Sequence, residues 1–438
     1  MAYRHFLLIF YIAAVGLQLK AQQKTEYLTR KAAVDAAVSN SYSTRIANLE
    51  LDLSAVRMHQ TDALFLPQAN FTYTAATTNN PLNAFGFKLQ QGAITEGDFN
   101  PKRLNDPSST ADFSAKIEVV QPLFNAEQLY FRKASVAQVE MYRFSSIRSK
   151  EAIAFESEKT YLQLQMAYEE RKTHEQSLDL AKAFHKTAGD YYDQGIIQKP
   201  DLLNAELQVL NNESQLRSSV SAIQELSDRL SYLMGKDPGI VYRVDSAMAA
   251  EILAPDTRDF TTQRSDFKAM EKGIEGYAHL IKSSTLAYLP RLNAFATWQW
   301  NDKRLLGLEH NAYFAGLQLS WKLFDGNHTR SKIAEQRLEK GKLGIQLDQQ
   351  RKEALVQVIR VRQQLSDAAF TIGLQRLAIS QAEESLRVSQ NRFKAGLVKT
   401  IDVLMAQTQL SIQKISYARA VYNYNLAEAS LRFYTNGQ

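Results

Sequence analysis

Two long stretches of the chain carry an apolar residue at every seventh position. The first ladder is Leu202, Val209, Leu216, Ile223 and Leu230. The second is Val403, Leu410, Tyr417, Tyr424 and Leu431, at one constant offset from the first. Gly195-Ile196 precedes the first and Gly396-Leu397 the second, and Asp201 corresponds to Asp402. A seven-residue period held over five steps predicts a long helix packed in a coiled-coil seam. Its recurrence over residues 195–235 and 396–436 predicts a chain built from two similar halves.

Elsewhere the period falls to two. Ala69, Phe71, Tyr73 and Ala75 alternate with Asn70, Thr72 and Thr74. Phe113, Ala115, Ile117 and Val119 alternate with Ser114, Lys116 and Glu118. In the second half, Leu292, Ala294, Ala296, Trp298 and Trp300 are interleaved with Asn293, Thr297 and Gln299. Tyr313, Ala315, Leu317, Leu319, Trp321 and Leu323 are interleaved with Gly316, Gln318, Ser320 and Lys322. This predicts four strands, at about 67–78, 112–124, 290–301 and 312–324, each with one apolar and one polar face.

Helix is predicted over 27–63, ending before Leu66-Pro67, because proline disfavours helix in the residue preceding it. Residues 125–192 hold no proline, which predicts a helix of roughly 100 Å. Residues 261–287 and a second long stretch reaching about Phe393 are also read as helix. Residues 79–110 read as a long connection. The expected division is a signal peptide at 1–21, a first repeat at 22–235, a linker at 236–260 and a second repeat at 261–438.

Each strand has the length of a tilted membrane-spanning β-strand. Four strands cannot close a barrel, which needs about eight or more, and an open edge in lipid leaves backbone groups unpaired. The pattern therefore predicts a barrel shared between chains, two copies giving eight strands and three giving twelve. Phe71, Tyr73, Ile117, Val119, Trp298, Trp300, Leu317, Leu319 and Trp321 are expected to face lipid. Asn70, Thr72, Thr74, Lys116, Glu118, Asn293, Gln299, Gln318 and Lys322 are expected to line water.

Composition narrows the classes. The 438 residues are 45% hydrophobic with mixed charges and a formal charge of +6, and hold no basic run that would favour nucleic acid. Arg4 and His5 before the apolar run Phe6–Leu17 predict a cleaved secretory signal ending at Ala21. Zero cysteines exclude disulfides and thiolate chemistry. The seven histidines are scattered; His174 and His185 could share a helix face, but none are at metal-ligand spacing. No phosphate-binding glycine-rich loop is present, so neither catalysis nor a cofactor or metal is expected.

In this order and spacing, the chain resembles the TolC-like outer-membrane efflux protein family. The resemblance is carried by Asn80-Pro81-Leu82-Asn83-Ala84-Phe85-Gly86-Phe87-Lys88-Leu89, by Leu323-Phe324-Asp325-Gly326, and by Arg392-Phe393-Lys394-Ala395-Gly396-Leu397-Val398 followed by Asp402-Val403-Leu404 and Ala406-Gln407. It implies a mixed α and β membrane protein. Its homotrimer would form a twelve-stranded β-barrel, four strands per chain, continuous with a long α-helical coiled-coil tunnel. It implies an outer-membrane exit duct of a tripartite efflux pump or type I secretion system in a Gram-negative bacterium, spanning into the periplasm. Its partners would be a periplasmic adaptor and an inner-membrane transporter of RND or ABC type.

On this resemblance, Gly195, Ile196, Gly396 and Leu397 become adaptor-docking tips. Their local reading is simpler: glycine in a left-handed turn and an aspartate near a helix start. Relatives often carry an acidic ring about two turns before the second tip. Here Arg387 and Gln390 occupy those positions, and the nearest carboxylates are Glu383, Glu384, Asp190 and Asp193. These six form the candidate periplasmic gate, and the departure speaks against carrying over cation selectivity. Lys116, Glu118, Gln318 and Lys322 are the candidate lumen residues. The alternative is a non-conducting periplasmic coiled coil, structural or adaptor-like, against which the alternating strands argue; a secreted enzyme is the remaining class.

Overall fold

The computed structural model describes residues 25–245 and 261–435. The predicted signal peptide and most of the 236–260 linker lie outside the described residues. In chain order the main elements are β1 (Thr25–Tyr27), α1 (Arg30–Asn40), α2 (Tyr42–Gln60), β2 (Gln68–Thr78), α3 (Pro81–Gln90), β3 (Thr110–Phe124) and α4 (Ala126–Asp193). Then come α5 (Lys199–Leu233), β4 (Val241–Arg243), α6 (Ser265–Leu286), β5 (Arg291–Asp302), β6 (His310–Ser320), α7 (His328–Lys394) and α8 (Thr400–Thr435). No helix among the described residues is long and apolar enough to cross a membrane. The chain divides into two compact units.

The first unit comprises residues up to Leu49, Ser145–Phe267 and Gln349–Gln438. Its cores are helix-packing clusters. One gathers Leu28, Ala33, Tyr161, Leu164, Ile223, Leu230, Met234 and Tyr242. β1 and β4 pair in parallel beside it, Glu26 opposite Tyr242. Several buried hydroxyls here find partners. The Tyr161 hydroxyl donates to the Leu28 carbonyl at 3.2 Å, and the Tyr168 hydroxyl to the Tyr242 carbonyl at 2.9 Å. The Tyr242 amide donates to the Ser227 hydroxyl at 3.2 Å, and the Ser231 hydroxyl to that of Tyr242 at 3.1 Å. Glu158 binds both Arg30 of α1 and Arg432 of α8.

The heptad ladders are interior. Val403, Leu410, Tyr424 and Leu431 are buried on α8, and Ile223 and Leu230 on α5. The α5 seam is completed by Asn212, Ser219, Ser227 and Ser231, all buried. Small polar residues let the helices approach closely and hydrogen-bond locally, so hydrophobic periodicity alone does not reveal them.

The second unit comprises Glu50–Phe144 and Lys268–Asp348. Its centre is a four-stranded antiparallel sheet of order β2-β3-β5-β6. β6 ends at Ser320, short of the expected 324, so Trp321, Lys322 and Leu323 lie beyond the strand. The chain turns there through Gly326 and Asn327, both at positive φ, before α7 begins. The expected helix over 27–63 is broken at Ser41. That residue is extended (ψ 146), and its hydroxyl caps the next helix by accepting from the Thr44 amide at 3.2 Å.

The connection 79–110 is more structured than its composition predicts. Asn80 caps α3 and Pro81 follows at a position where a missing N–H costs nothing. At the ends of β3 and β5, Asp112 is buried without a cation. Its carboxylate accepts from the Gln91 amide at 2.8 Å and the Asn301 amide at 2.9 Å. Asp98 accepts from Lys88 and from the backbone and hydroxyl of Thr95, each at 2.8 Å.

These contacts yield two predictions. Leu230, fully buried, leaves a cavity when cut to alanine. Leu230→Ala should cost about 2–5 kcal/mol in thermal or denaturant unfolding of the purified protein. The Lys88 ammonium holds the Asp98 carboxyl well below the usual carboxylate range. Its folded value being depressed, its contribution is present above the unfolded value near 3.8 and is lost as pH falls through the folded value. Asp98→Asn should therefore quicken proteolysis of the 79–110 connection at neutral pH. The difference from the parent should shrink in strong acid.

Candidate functional site: a two-faced sheet and two apolar tips

The strand register sorts residues by face, because directly opposed residues in an antiparallel pair point the same way. Phe71 stands opposite Ile117, Ile117 opposite Trp298, and Trp298 opposite Tyr313. This apolar row crosses the whole sheet. Tyr73, Ala115 and Trp300 make the next row. The Trp298 ring lies 6.2 Å from both Trp300 and Tyr313. Leu317 and Leu319 are two-thirds exposed, which is unusual for large apolar side chains ordered on a sheet. Trp321, past the strand, donates its indole N–H to the Tyr288 carbonyl at 2.8 Å.

The other face is polar. Thr72, Lys116 and Gln299 form one row, and Asn70, Glu118 and Thr297 the next. Lys116 and Glu118 pair at 2.9 Å. Gln318 stands opposite Asn293. Lys322 belongs to the foot of the sheet rather than to a strand, beside Arg291, His328 and Lys332. Sequence alternation did not expose that grouping, since its members come from three elements. The polar face also holds Phe295 and Phe314, their rings 5.3 Å apart.

In the first unit the two helical hairpins end alike. Gly195 has φ 72° and Gly396 φ 71°. The Gly195 and Ile196 amides donate to the Tyr192 and Tyr191 carbonyls, both at 2.9 Å. Gly396 and Leu397 donate to Phe393 and Arg392, also at 2.9 Å. This double bond around a left-handed residue terminates α4 and α7. The Asp201 and Asp402 carboxylates accept from the amides of Gln198 and Lys399, at 3.4 and 2.9 Å, and start the return helices. Beneath the turns, Phe393 of one hairpin packs between Phe184 and Tyr191 of the other, at 5.1 and 5.4 Å. Ile196 and Leu397 project outward, 57% and 67% exposed.

Residues 259–437 match the model of the family described as outer membrane efflux protein. A curated relative, the alkaline protease secretion protein AprF of Pseudomonas aeruginosa, is 22% identical over 361 residues, covering 78% of this chain and 72% of the relative. The fold matches that of CusC, described as undergoing folding and transmembrane channel formation. The TM-score is 0.79 at 15% identity, over 96% of both chains. It also matches the outer membrane protein VceC of Vibrio cholerae, with a TM-score of 0.77 at 16% identity, over 93% of this chain and 96% of that one. The chain is thus similar to outer membrane efflux proteins over residues 259–437 and shares the fold of CusC and VceC.

Of the four carboxylates near the tips, Glu383 and Glu384 are matched by cations. Glu384 makes two bonds with Arg387, at 2.6 and 2.8 Å, which lower the Glu384 carboxyl and raise the Arg387 guanidinium. Glu383 lies 3.5 Å from Lys414. Asp190 and Asp193 are exposed at the end of α4, and Gln390 is half-buried. Sequence reading missed Lys414 as a partner because it lies on α8, a helix away from the carboxylates.

A side chain at Gly396 meets open space but is strained by the positive φ. Gly396→Val should destabilise the second tip by about 1–3 kcal/mol. Hydrogen exchange should quicken around the turn while the sheet keeps its protection.

Proposed function

We propose that this chain is one third of an outer-membrane exit duct. Three copies pair β6 of one chain with β2 of the next to form a twelve-stranded barrel. Their helical hairpins extend the conduit into the periplasm. The tips at Gly195-Ile196 and Gly396-Leu397 dock to a periplasmic adaptor, and through it to an inner-membrane transporter that supplies the energy. The exported cargo passes down its gradient along the polar sheet face.

The observation that carries this reading is the register. One face of the sheet presents Phe71, Ile117, Trp298 and Tyr313 in an unbroken row, and the other presents Thr72, Lys116 and Gln299. A sheet wet on one side and oily on the other, open at both edges, suits a wall between water and lipid. Tyrosine and tryptophan on the apolar face suit the membrane interface.

Purified protein should migrate as a trimer in detergent and give discrete conductance steps in a planar bilayer. A monomer without conductance refutes the reading. Leu319→Arg should lower the amount recovered in outer membranes, by roughly 2–4 kcal/mol of insertion free energy near mid-bilayer. Unchanged recovery would reverse the facing assigned to β6.

A further inference from the structure

Most charges on the polar side of the sheet cancel. Lys116 neutralises Glu118, and Arg291 binds Glu127. At the foot of the sheet this balance fails. A cavity of about 220 Å³ is lined by Glu127, Arg291, Lys322, His328, Thr329 and Lys332 among others. Its basic groups come from the first residue of β5, the chain just past β6, and the start of α7. Among the described residues neither Lys322 nor Lys332 has an ion-pair partner. Asp325 nearby commits its carboxylate to the amide and hydroxyl of Thr329.

The placement runs against helix electrostatics. The first turn of α7 holds no acid, and its opening residues include His328, Arg330 and Lys332. The positive end of a helix dipole disfavours cations and attracts anions. Two lysines without an ion pair within 4 Å, beside an arginine, add to the positive potential of the helix start. Asp325 offsets part of this charge, acting on Lys322 and His328, but one carboxylate does not match Lys322, Arg330 and Lys332 together. The side of the sheet is also fixed: Arg291 opposes Ser320 and shares a face with Asn293 and Gln299. The cavity thus belongs to the polar face, whereas Trp321 has the opposite parity.

We propose that this cavity is an oxyanion site, taking the phosphate or carboxylate group of a solute that travels along the polar face. The proposal rests on the duct reading for its role in passage, but not for its chemistry. Lysine ammonium groups supply point charges, and the Arg291 guanidinium supplies planar donors beside its Glu127 contact.

Isothermal titration of the purified full chain with inorganic pyrophosphate at low salt tests it. Saturable binding is expected, weakened about tenfold or more in Lys322→Gln/Lys332→Gln and retained in Lys322→Arg/Lys332→Arg. No saturable binding by the parent, or equal binding by the glutamine variant, overturns the site. Binding of anionic-lipid vesicles lost in the glutamine variant, with pyrophosphate ignored, overturns it in favour of a headgroup contact. In planar bilayers under a salt gradient, the glutamine variant should shift the reversal potential toward cations, and an unshifted potential overturns the role in passage. A parent that binds pyrophosphate but passes no current sinks the duct reading and leaves the oxyanion site standing.

Discussion

Every backbone amide and carbonyl placed in hydrocarbon must find a partner, at a penalty of several kcal/mol for each that does not. The sheet of this chain meets that demand internally at β3 and β5 and leaves it unmet along β2 and β6, its two edges. Those edges belong to a sheet with an aromatic face, so leaving them bare is incompatible with insertion. In the proposed duct, closure with sister chains satisfies the backbone without adding residues. On that proposal, the number of strands, their length and the two-faced pattern all answer this one constraint.

The helical unit solves a different problem with a repeated device. A helix of 68 residues and one of 67 have too little intrinsic stability to stand alone and must be packed along their length. Each returns through a glycine turn to a shorter helix, and the two hairpin ends share a core around Phe393. Burying Phe393 between Phe184 and Tyr191 couples the turns to one another, which leaves Ile196 and Leu397 as outward apolar groups on a braced platform.

Much of this was legible in the sequence because periodicity reports burial directly. The heptads located α5 and α8, and the alternation located β2, β3 and β5 to within a few residues. What escaped had no periodic signature. β1 and β4 are three residues each, too short for a pattern. The break at Ser41 depends on a single hydroxyl. β6 stops early, at Ser320, although the alternation of the sequence continues to Leu323. Asn80-Pro81 was a visible helix start that the surrounding loop composition masked. The two tip turns followed from glycine and aspartate spacing. The Glu384–Arg387 pair lies within α7 at a spacing of three, whereas the Glu383–Lys414 pair and the basic foot of the sheet required side chains from separate elements to be brought together.

The clasp at the far end of the sheet has a consequence of its own. Asp112 is held by the side-chain amides of Gln91 and Asn301, which carry no charge. Ion pairs exposed to solvent weaken as salt rises, whereas amide donors buried against a carboxylate are screened far less. If this end meets the surroundings of the cell, the Asp112 fastening holds as salinity changes, while the Lys88–Asp98 pair of the same connection weakens.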